Sequence, residues 1–411
     1  EKGNVIAVIG DGSLSGGEAL EGFDYAVELE GNLIIVVNDN DMSIAENHGG
    51  LYGNLKLLRE TNGQAECNLF KAMNFDYIYV DKGNDVTSLI EAFKQVKDSK
   101  KPVVVHIKTL KGKGYEIAEH NKEKWHFCAP FDIETGRSLM KLPNDELTWS
   151  EIISRTLMDL ARKDKNIVAI TPAMAQGSKL LDFEKTYPNR FFDCGIAEQH
   201  AITMACGMAA GGLKPFVSVY SSFLQRAYDQ INHDMARMDL PVVVGIDRAG
   251  LVGDDGDTHQ GVFDISMLRS IPNLILSQPH DAKEAQNLLY TAFVSQKPFC
   301  IRYPRGNVHY DKVDQYELIP IGSWTRYDIG DNPICIVISY GYDVDNVIHK
   351  AKENNISMIV INARFFKPID TIMINELCSY DLPIYVYETD CKIGSLSSAI
   401  LEYINTQKHI L

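Results

Sequence analysis

Length, composition and charge limit the classes of protein to which this chain can belong. Its 411 residues carry 40 Lys and Arg against 55 Asp and Glu, so the formal net charge is −15, and 45% of the residues are apolar. This composition is typical of a globular protein with two or three domains. Because the balance is acidic, the chain has no basic field for a polyphosphate backbone, and nucleic-acid binding is not expected.

Cysteine spacing and apolar run length bear on the compartment. The eight cysteines are scattered without a Cys-x-x-Cys pair, which argues against a disulfide framework or a zinc site and favours a reducing compartment such as the cytoplasm. A plastid-type organelle is also compatible if a transit peptide precedes Glu1. Apolar runs such as residues 33–37 have the length of a strand, far short of the roughly 20 residues that cross a bilayer, so no membrane span is expected.

Short Val and Ile runs alternate with helical stretches in the first part of the chain. Such runs, separated by amphipathic helices, are typical of a parallel sheet covered on both faces. A helix is predicted over residues 13–30. Strands are predicted over residues 5–9, 33–38, 77–80 and 103–107. Residues 127–147 lack periodicity and are predicted to be a linker.

Two further series of elements follow the linker. The second has a helix over 148–163 and then strands over 167–171, 216–220, 242–247, 274–278 and 300–303. The third has strands over 334–339, 357–361 and 383–387 and a helix over 395–403. The pattern predicts an α/β protein with mostly parallel sheets in three successive units: residues 1–126, 148–317 and 318–411.

A glycine-rich turn directly follows the first predicted strand. Gly10, Asp11 and Gly12 would let backbone N–H groups approach a phosphate, and a carboxylate among them suits a hard cation. Such turns are common between a strand and a helix, so alone this one is equally compatible with a plain turn. However, a second oxygen-rich run, from Asn38 to Met42, follows the next strand. Both loops would emerge at the same edge of a parallel sheet, where ligands bind.

This pair of loops resembles the diphosphate motif of thiamine-diphosphate-dependent enzymes. The resemblance implies that Asp11, the Asn40 side chain and the Met42 carbonyl coordinate a Mg²⁺ ion that bridges the diphosphate. It also places four further residues on the diphosphate side: Gly12, Ser13, Lys111 and His126.

The run from Ile196 to His200 resembles the segment that carries the family's glutamate. In these enzymes a carboxylate hydrogen-bonds N1′ of the cofactor's aminopyrimidine, in a site apolar enough to keep the proton shared. Glu198 matches that residue; taken alone, it would be an ordinary acid in the first turn of a helix. Phe223 matches the aromatic that stacks on the pyrimidine, and Ile196 the apolar wedge beneath it, although both could be core side chains. Arg226 is a candidate for binding an anionic group, or a surface ion-pair partner.

Longer stretches point to one branch of the family. Residues 111–116, 220–230, 247–261 and 302–307 resemble the 1-deoxy-D-xylulose 5-phosphate synthases, and the resemblance extends over essentially the whole chain. It implies a homodimer in which the thiamine carbanion adds to pyruvate and CO₂ leaves. The resulting enamine then attacks D-glyceraldehyde 3-phosphate to give 1-deoxy-D-xylulose 5-phosphate, which feeds isoprenoid, thiamine and pyridoxal biosynthesis. A transketolase-type ketol transferase and a catalytically silent thiamine-diphosphate-binding module remain as alternatives.

Anionic substrates require fixed cations in so acidic a chain. Arg248 and Arg305, both at strand ends, suit two-pronged recognition of phosphate or carboxylate, and Tyr220 adds a hydroxyl donor. His259 and Asp255 lie four residues apart on a glycine-rich loop. They could form an acid–base pair in which the carboxylate orients the imidazole, or simply a polar surface turn.

The chain departs from the family in three places. A His- and Ser-bearing phosphate region expected upstream of Glu1 is absent, residues 47–75 are shorter than the family's long segment, and the third unit ends before the family's final strand and helix. We therefore expect the sequence to be part of a longer polypeptide. The third unit offers no loop with an evident chemical role, and Glu388 is expected to be a solvated edge residue.

Overall fold

A computed structural model describes residues 3–43, 47–126, 128–139 and 146–407. Contacts group the chain into two units: Glu1–Leu142 with Cys194–Ala197, and Pro143–Asp193 with Glu198–Leu411. In the predicted linker, residues 127 and 140–145 lie outside the described residues. The three predicted domain boundaries stay a prediction.

A four-stranded parallel sheet forms the centre of the first unit. Its strands are β1 (Val5–Gly10), β2 (Leu33–Asp39), β3 (Asp76–Val80) and β4 (Val103–Lys108). They lie in the order β1-β2-β4-β3, and Gly10 pairs with Asn38. Because β1 and β2 end at the same level, the two oxygen-rich loops emerge at one sheet edge, as the sequence predicts.

Alternate residues of β2 contribute to two separate cores, because successive side chains of a strand point to opposite faces. Ile35 and Val37 pack in one core, and Ile34 and Val36 in the other. The α-helices of this unit are Gly17–Ala26, Gly50–Glu60, Leu69–Ala72, Val86–Val96 and Glu116–His120. The helix predicted over 13–30 is wrong at both ends: a 3₁₀ turn over Asp11–Ser15 precedes the α-helix, which stops at Ala26.

The second unit contains two larger sheets and a short ribbon. Its strands are β5 (Glu146–Thr148), β6 (Ile167–Thr171), β7 (Phe191–Asp193), β8 (Lys214–Tyr220), β9 (Val243–Asp247), β10 (Ile275–Ser277), β11 (Phe299–Arg302), β12 (Asn307–His309), β13 (Thr325–Ile329), β14 (Ile336–Ser339), β15 (Met358–Asn362), β16 (Phe365–Lys367) and β17 (Ile384–Val386). One sheet has the order β16-β10-β11-β9-β8-β6-β7 and the other β13-β15-β14-β17, while β5 pairs with β12. Within the two sheets only β16 and β13 run antiparallel to their neighbours among the described strands.

Every strand that the sequence predicts is present, and five short or edge strands were not predicted. The capping box at Thr148 starts the helix Trp149–Lys163 where the sequence places it. The other α-helices of this unit are Leu181–Thr186, Glu198–Ala210, Ser221–Leu224, Tyr228–Gln230, Asp264–Arg269, Ala282–Ser295, Asp343–Glu353, Thr371–Leu377 and Leu396–Thr406. Shorter 3₁₀ turns cover Pro188–Arg190, Gln225–Ala227, Gly253–Asp255 and Asp257–His259, and a π-helix covers Ile231–Ala236.

Glu388 is not a solvated edge residue: its carboxylate accepts hydrogen bonds from the Leu396 N–H at 3.0 Å and the Ser397 hydroxyl at 2.5 Å, at the start of the last helix. None of the eight cysteines, all of which are among the described residues, forms a disulfide bond. Among the helices that the structure describes, none combines the length and apolarity needed to cross a bilayer.

Candidate active site

Asp11 lies at the start of the turn after β1 and is almost completely buried. Its Oδ2 accepts hydrogen bonds from the Met42 N–H at 3.1 Å and from Asn47 Nδ2 at 2.9 Å. Burial, together with the nearby carboxylate of Asp39, raises the pKa of Asp11 to about 7. A carboxylate in this environment is strongly stabilised by a cation.

The neighbouring groups fit a hard cation. The Oδ1 atom of Asn40 is buried and has no hydrogen-bond partner among the described residues, and a buried amide oxygen of this kind is available to a ligand. Oxygen atoms of carboxylate, amide and carbonyl groups are the ligands that Mg²⁺ prefers. A Cβ atom at Gly12 would lie 2.6 Å from the Cβ of Ser43, so only glycine allows the two loops to approach this closely. The residues present therefore fit the Mg²⁺ ion that the sequence predicts.

The other predicted residues of the first unit lie around these loops. Lys111 Nζ donates to the Ser43 carbonyl, and burial lowers the pKa of Lys111. His126 is largely exposed. The part of its side chain that is buried and the nearby charge of Lys111 both lower its pKa. Ile196 packs beside the glycine turn, with its Cδ1 3.6 Å from the position of a Cβ on Gly12. Ser13 is exposed.

A buried network behind the second loop was missed by the sequence analysis. Arg59 Nη1 lies 2.7 Å from both carboxylate oxygens of Asp39, and His106 Nε2 lies 2.8 Å from Oδ2. Burial alone would raise the pKa of Asp39, but these partners lower it. Tyr52 donates to the Gly12 carbonyl at 3.2 Å. Since these partners come from other helices and strands, only the position of Asp39 at the end of a buried strand could have indicated the network.

In the second unit, Glu198 begins the helix Glu198–Ala210 and its side chain is 5% exposed. Arg226 Nη1 donates to its Oε2 at 2.5 Å. Burial raises the pKa of Glu198, although its own backbone N–H and Arg226 oppose this effect. A buried carboxylate with a raised pKa can share a proton with a ring nitrogen. Arg226, predicted as an anion contact, therefore binds this carboxylate in the structure.

Three predicted residues, Tyr220, Phe223 and His259, form an aromatic cluster. The Tyr220 and Phe223 rings stack with centroids 5.3 Å apart, and the His259 ring meets Phe223 edge-on at 5.2 Å. The Arg248 guanidinium lies 4.3 Å from the centroid of the Tyr220 ring. Burial raises the pKa of Tyr220, so its hydroxyl remains a hydrogen-bond donor at neutral pH.

The predicted pairing of Asp255 with His259 is not formed between these described side chains. Asp255 instead lies 3.4 Å from Arg305 Nη1 and 3.8 Å from Arg248 Nε. His259 Nδ1 lies 3.0 Å from the Thr258 hydroxyl. The reason is electrostatic, because two guanidinium groups attract the carboxylate more strongly than one imidazole does.

Asp247 and Ser150, which were not predicted as site residues, also hold the Arg248 side chain in place. Arg248 adopts a positive φ of 57° and contacts Asp247 Oδ1 at 2.9 Å and the Ser150 hydroxyl at 3.1 Å. Ser150 in turn donates to Asp247 Oδ2 at 2.7 Å. The Nε atom of Arg248 is buried and makes no hydrogen bond among the described residues, and such a donor is available to a ligand. Ser150 gave no signal in the sequence because it lies in an ordinary helix.

Models of three protein families match successive parts of the chain. The model described as "1-deoxy-D-xylulose-5-phosphate synthase" matches residues 1–67 and 59–109. The models described as "Transketolase, pyrimidine binding domain" and "Transketolase, C-terminal domain" match residues 145–310 and 329–410. A solved structure described as "Split gene transketolase, inactive beta4 tetramer" is similar at a TM-score of 0.56 and 25% identity, over 64% of this chain and 86% of that chain.

Curated relatives are similar over nearly the whole chain. The 1-deoxy-D-xylulose-5-phosphate synthase of Listeria monocytogenes serotype 4b (strain CLIP80459) is 44% identical over 418 residues, covering 98% of this chain and 68% of the relative. The enzyme of the same name from Aquifex aeolicus (strain VF5) is 41% identical over 437 residues, covering 97% of this chain and 69% of the relative. The chain therefore belongs to the 1-deoxy-D-xylulose-5-phosphate synthase family, within the transketolase-like enzymes.

Proposed function

We propose that the chain condenses pyruvate with D-glyceraldehyde 3-phosphate, with loss of CO₂, to form 1-deoxy-D-xylulose 5-phosphate, and that thiamine diphosphate is its cofactor. Family membership supports the reaction. The observation that carries it to the residue level is the buried carboxylate of Glu198, whose pKa is raised by burial. This is the environment that a carboxylate needs to hold a proton at N1′ of the aminopyrimidine.

Residues of the first unit would hold the diphosphate end of the cofactor. Asp11, the Asn40 amide oxygen and the Met42 carbonyl would bind Mg²⁺, and Lys111 would offset part of the diphosphate charge. The raised pKa of Asp11 supports this assignment, as does the Asn40 oxygen, for which the described residues offer no hydrogen-bond partner. We expect that removing Mg²⁺ with a chelator abolishes cofactor binding and that adding it back restores binding, as titration calorimetry would show.

Residues of the second unit would hold the aminopyrimidine and the substrates. When bound, thiamine diphosphate supplies a nucleophilic ring carbon and an exocyclic nitrogen that acts as a base in its imino form. Glu198 would hold the proton at N1′, and Phe223 would stack on the pyrimidine. Arg226, at 2.5 Å from Glu198, would keep the carboxylate oriented.

Substrate recognition would use Arg248, Arg305, Tyr220 and His259. The contacts of Asp255 with the two arginines are 3.4 and 3.8 Å, longer than good hydrogen bonds. A phosphate dianion could therefore displace Asp255 from Arg305, whereas Arg248 would keep its shorter contact with Asp247. Tyr220 and His259 would add hydrogen-bond donors beside the arginines. We also propose a homodimer, which sedimentation velocity would test.

The test is product formation by the purified chain together with a Glu198→Gln variant. We expect the chain to form 1-deoxy-D-xylulose 5-phosphate and Glu198→Gln to reduce kcat at least about 100-fold, because proton transfer by a positioned group contributes this much. Glu184→Gln, an exposed residue of the same charge, is the matched control and should keep full activity. Ketol transfer from xylulose 5-phosphate without formation of this product would contradict the proposal in favour of a transketolase. Cofactor binding without either reaction would instead indicate a silent binding module.

A further inference from the structure

A fully buried arginine connects the seven-stranded sheet with the C-terminal part of the chain. Arg302 ends β11, and its side chain has no exposed surface. Its Nε and Nη2 lie 3.1 and 3.0 Å from the two oxygens of Asp264. Its Nη1 and Nη2 lie 2.9 and 2.7 Å from the two oxygens of Asp390. Gln278 Oε1, at 2.5 Å from Nη1, accepts the fifth N–H bond, so every donor of the guanidinium is satisfied.

Aromatic groups enclose this cluster on the C-terminal side. The Tyr340 hydroxyl donates to Asp390 Oδ2 at 2.5 Å. The Tyr340 and Phe366 ring centroids lie 5.8 and 5.6 Å from the Arg302 guanidinium. The free-energy cost of removing three charged groups from water offsets most of the gain from their mutual attraction. Such a cluster therefore contributes little to stability relative to apolar packing. Its main physical consequence is a fixed geometry, since removing one charge leaves the others uncompensated.

Asp264 connects the arginine cluster with the segments that carry the proposed site residues. It begins the helix that directly follows the glycine-rich loop of Arg248 and His259. Its carboxylate also interacts with the side chain of Ser221, the first residue of the short helix that carries Phe223. A Cβ at Gly261 would lie 2.7 Å from Ser221 Cβ, so the end of the loop packs directly on that helix.

A backbone contact reinforces the link from the C-terminal part. The Cys391 N–H donates to the Val262 carbonyl at 3.1 Å, one residue beyond the loop. The Ser266 hydroxyl donates to the Ile393 carbonyl at 2.6 Å. Residues 390–393 thus hold both the guanidinium cluster and the end of the loop.

We propose that Asp390, Arg302 and Asp264 are positioning residues, through which the C-terminal part of the chain fixes the Phe223 helix and thereby sets the affinity for thiamine diphosphate. This inference rests on the proposed function, because it takes Phe223 as the residue that stacks on the cofactor. It assigns a role in cofactor binding to a region that otherwise contains no residue with evident chemistry.

The experiment compares Asp390→Asn with Asp345→Asn in the full chain. Asp345 is a matched control because its side chain is also a carboxylate in the C-terminal part of the chain. It lies outside the arginine cluster and contacts His280 at 3.3 Å. Binding of thiamine diphosphate is measured by titration calorimetry with Mg²⁺ in excess, and the thermal midpoint is measured for each variant. We expect Asp390→Asn to raise the Kd about tenfold and Asp345→Asn to change it less than twofold, although both lower the midpoint.

A milder variant keeps the test decisive if Asp390→Asn does not fold. Tyr340→Phe removes only the hydrogen bond to Asp390, and it should raise the Kd about two- to threefold. Wild-type affinity in the Asp390 or Tyr340 variant, with a lowered midpoint, would overturn the proposal and make the cluster a structural anchor only. Equal losses of affinity in Asp390→Asn and Asp345→Asn would overturn it as well. A chain that binds the cofactor but forms no product contradicts the proposed function alone, because the comparison of Kd values still decides the role of the cluster.

Discussion

Arg59 binds the carboxylates on both sides of Asn40. Its guanidinium lies 2.7 Å from Asp39 and 2.5 Å from Asp41, although it comes from a helix twenty residues away in the sequence. Arg59→Met should lower the free energy of unfolding by about 3–5 kcal/mol, because it leaves the buried Asp39 carboxylate short of its cation. Lys56→Met is the control: its contact with Glu60 is 3.9 Å long and exposed, so the loss should stay below about 1 kcal/mol. Urea denaturation measures both, and equal losses would contradict the importance of burial.

The same residues show how far sequence reasoning reaches at this scale. Asp11, Asn40 and Glu198 were predicted as site residues because each stands in a short motif whose chemistry requires that residue type, and their roles stay a prediction. Arg59 was not found, because its partner is brought to it only by folding. The pairing of Asp255 with His259 failed for a related reason: spacing in a loop does not show that two arginines from other strand ends compete for the carboxylate.

At the scale of elements, the glycine-rich loop ends where Gly261 packs on the Phe223 helix. A Cβ there would lie 2.3 Å from the Arg248 carbonyl and 2.7 Å from Ser221 Cβ, so Gly261→Ala must displace one of the two segments. We expect Gly261→Ala to reduce kcat/KM at least about tenfold, a loss of about 1.4 kcal/mol in transition-state stabilisation.

Gly207 provides the matched control for this change. It lies inside the helix Glu198–Ala210, and apart from the nearby backbone of that helix no described atom lies within 4 Å of an added Cβ. Gly207→Ala should leave kcat/KM unchanged and stabilise the helix by up to about 1 kcal/mol, because alanine has the higher helix propensity. Steady-state kinetics of the two variants check the pair, and an unimpaired Gly261→Ala variant would show that the two segments can separate without loss.

Elements with a strong apolar period were predictable, and those without one were not. The strands β6, β8 and β9 are buried runs that the sequence identifies directly. The strands β7 and β16 have only three residues each, too few to establish a period. The helix over 13–30 was predicted too long because Gly16 takes an extended conformation, which separates the first turn from the helix.

At the scale of the whole molecule, His280 links the helix that starts at Ala282 with the C-terminal sheet. Burial by itself lowers its pKa, but Asp345, Glu284 and Asp281 outweigh it and raise the pKa of His280 to about 9, with Tyr327 as a further neighbour. A raised histidine pKa contributes stability that is complete below the unfolded value near 6.5 and is lost as the pH rises through about 9.

This pH dependence predicts that a His280→Gln variant is less stable than the unchanged chain at low pH but not at high pH. At pH 6 its thermal midpoint should lie below that of the unchanged chain, and at about pH 10 the two midpoints should be nearly equal. The free energy of unfolding at pH 6 should differ by about 1–2 kcal/mol, because the exposure of Asp345 weakens its contribution. Scanning calorimetry at the two pH values measures the difference. A deficit that does not depend on pH would attribute the effect to packing and not to charge.

The position of strand β16 limits where the chain can be divided into separate fragments. The strand belongs by sequence to the C-terminal part, yet it forms the outermost strand of the seven-stranded sheet, where Phe365 pairs with Ser277. A fragment cut between residues 317 and 318 would leave the backbone groups of β10 without their neighbour, and an open edge of this kind invites pairing with other chains. Genetic exchange of the C-terminal part between relatives replaces this edge strand, so the incoming β16 must fit the β10 that the rest of the chain keeps.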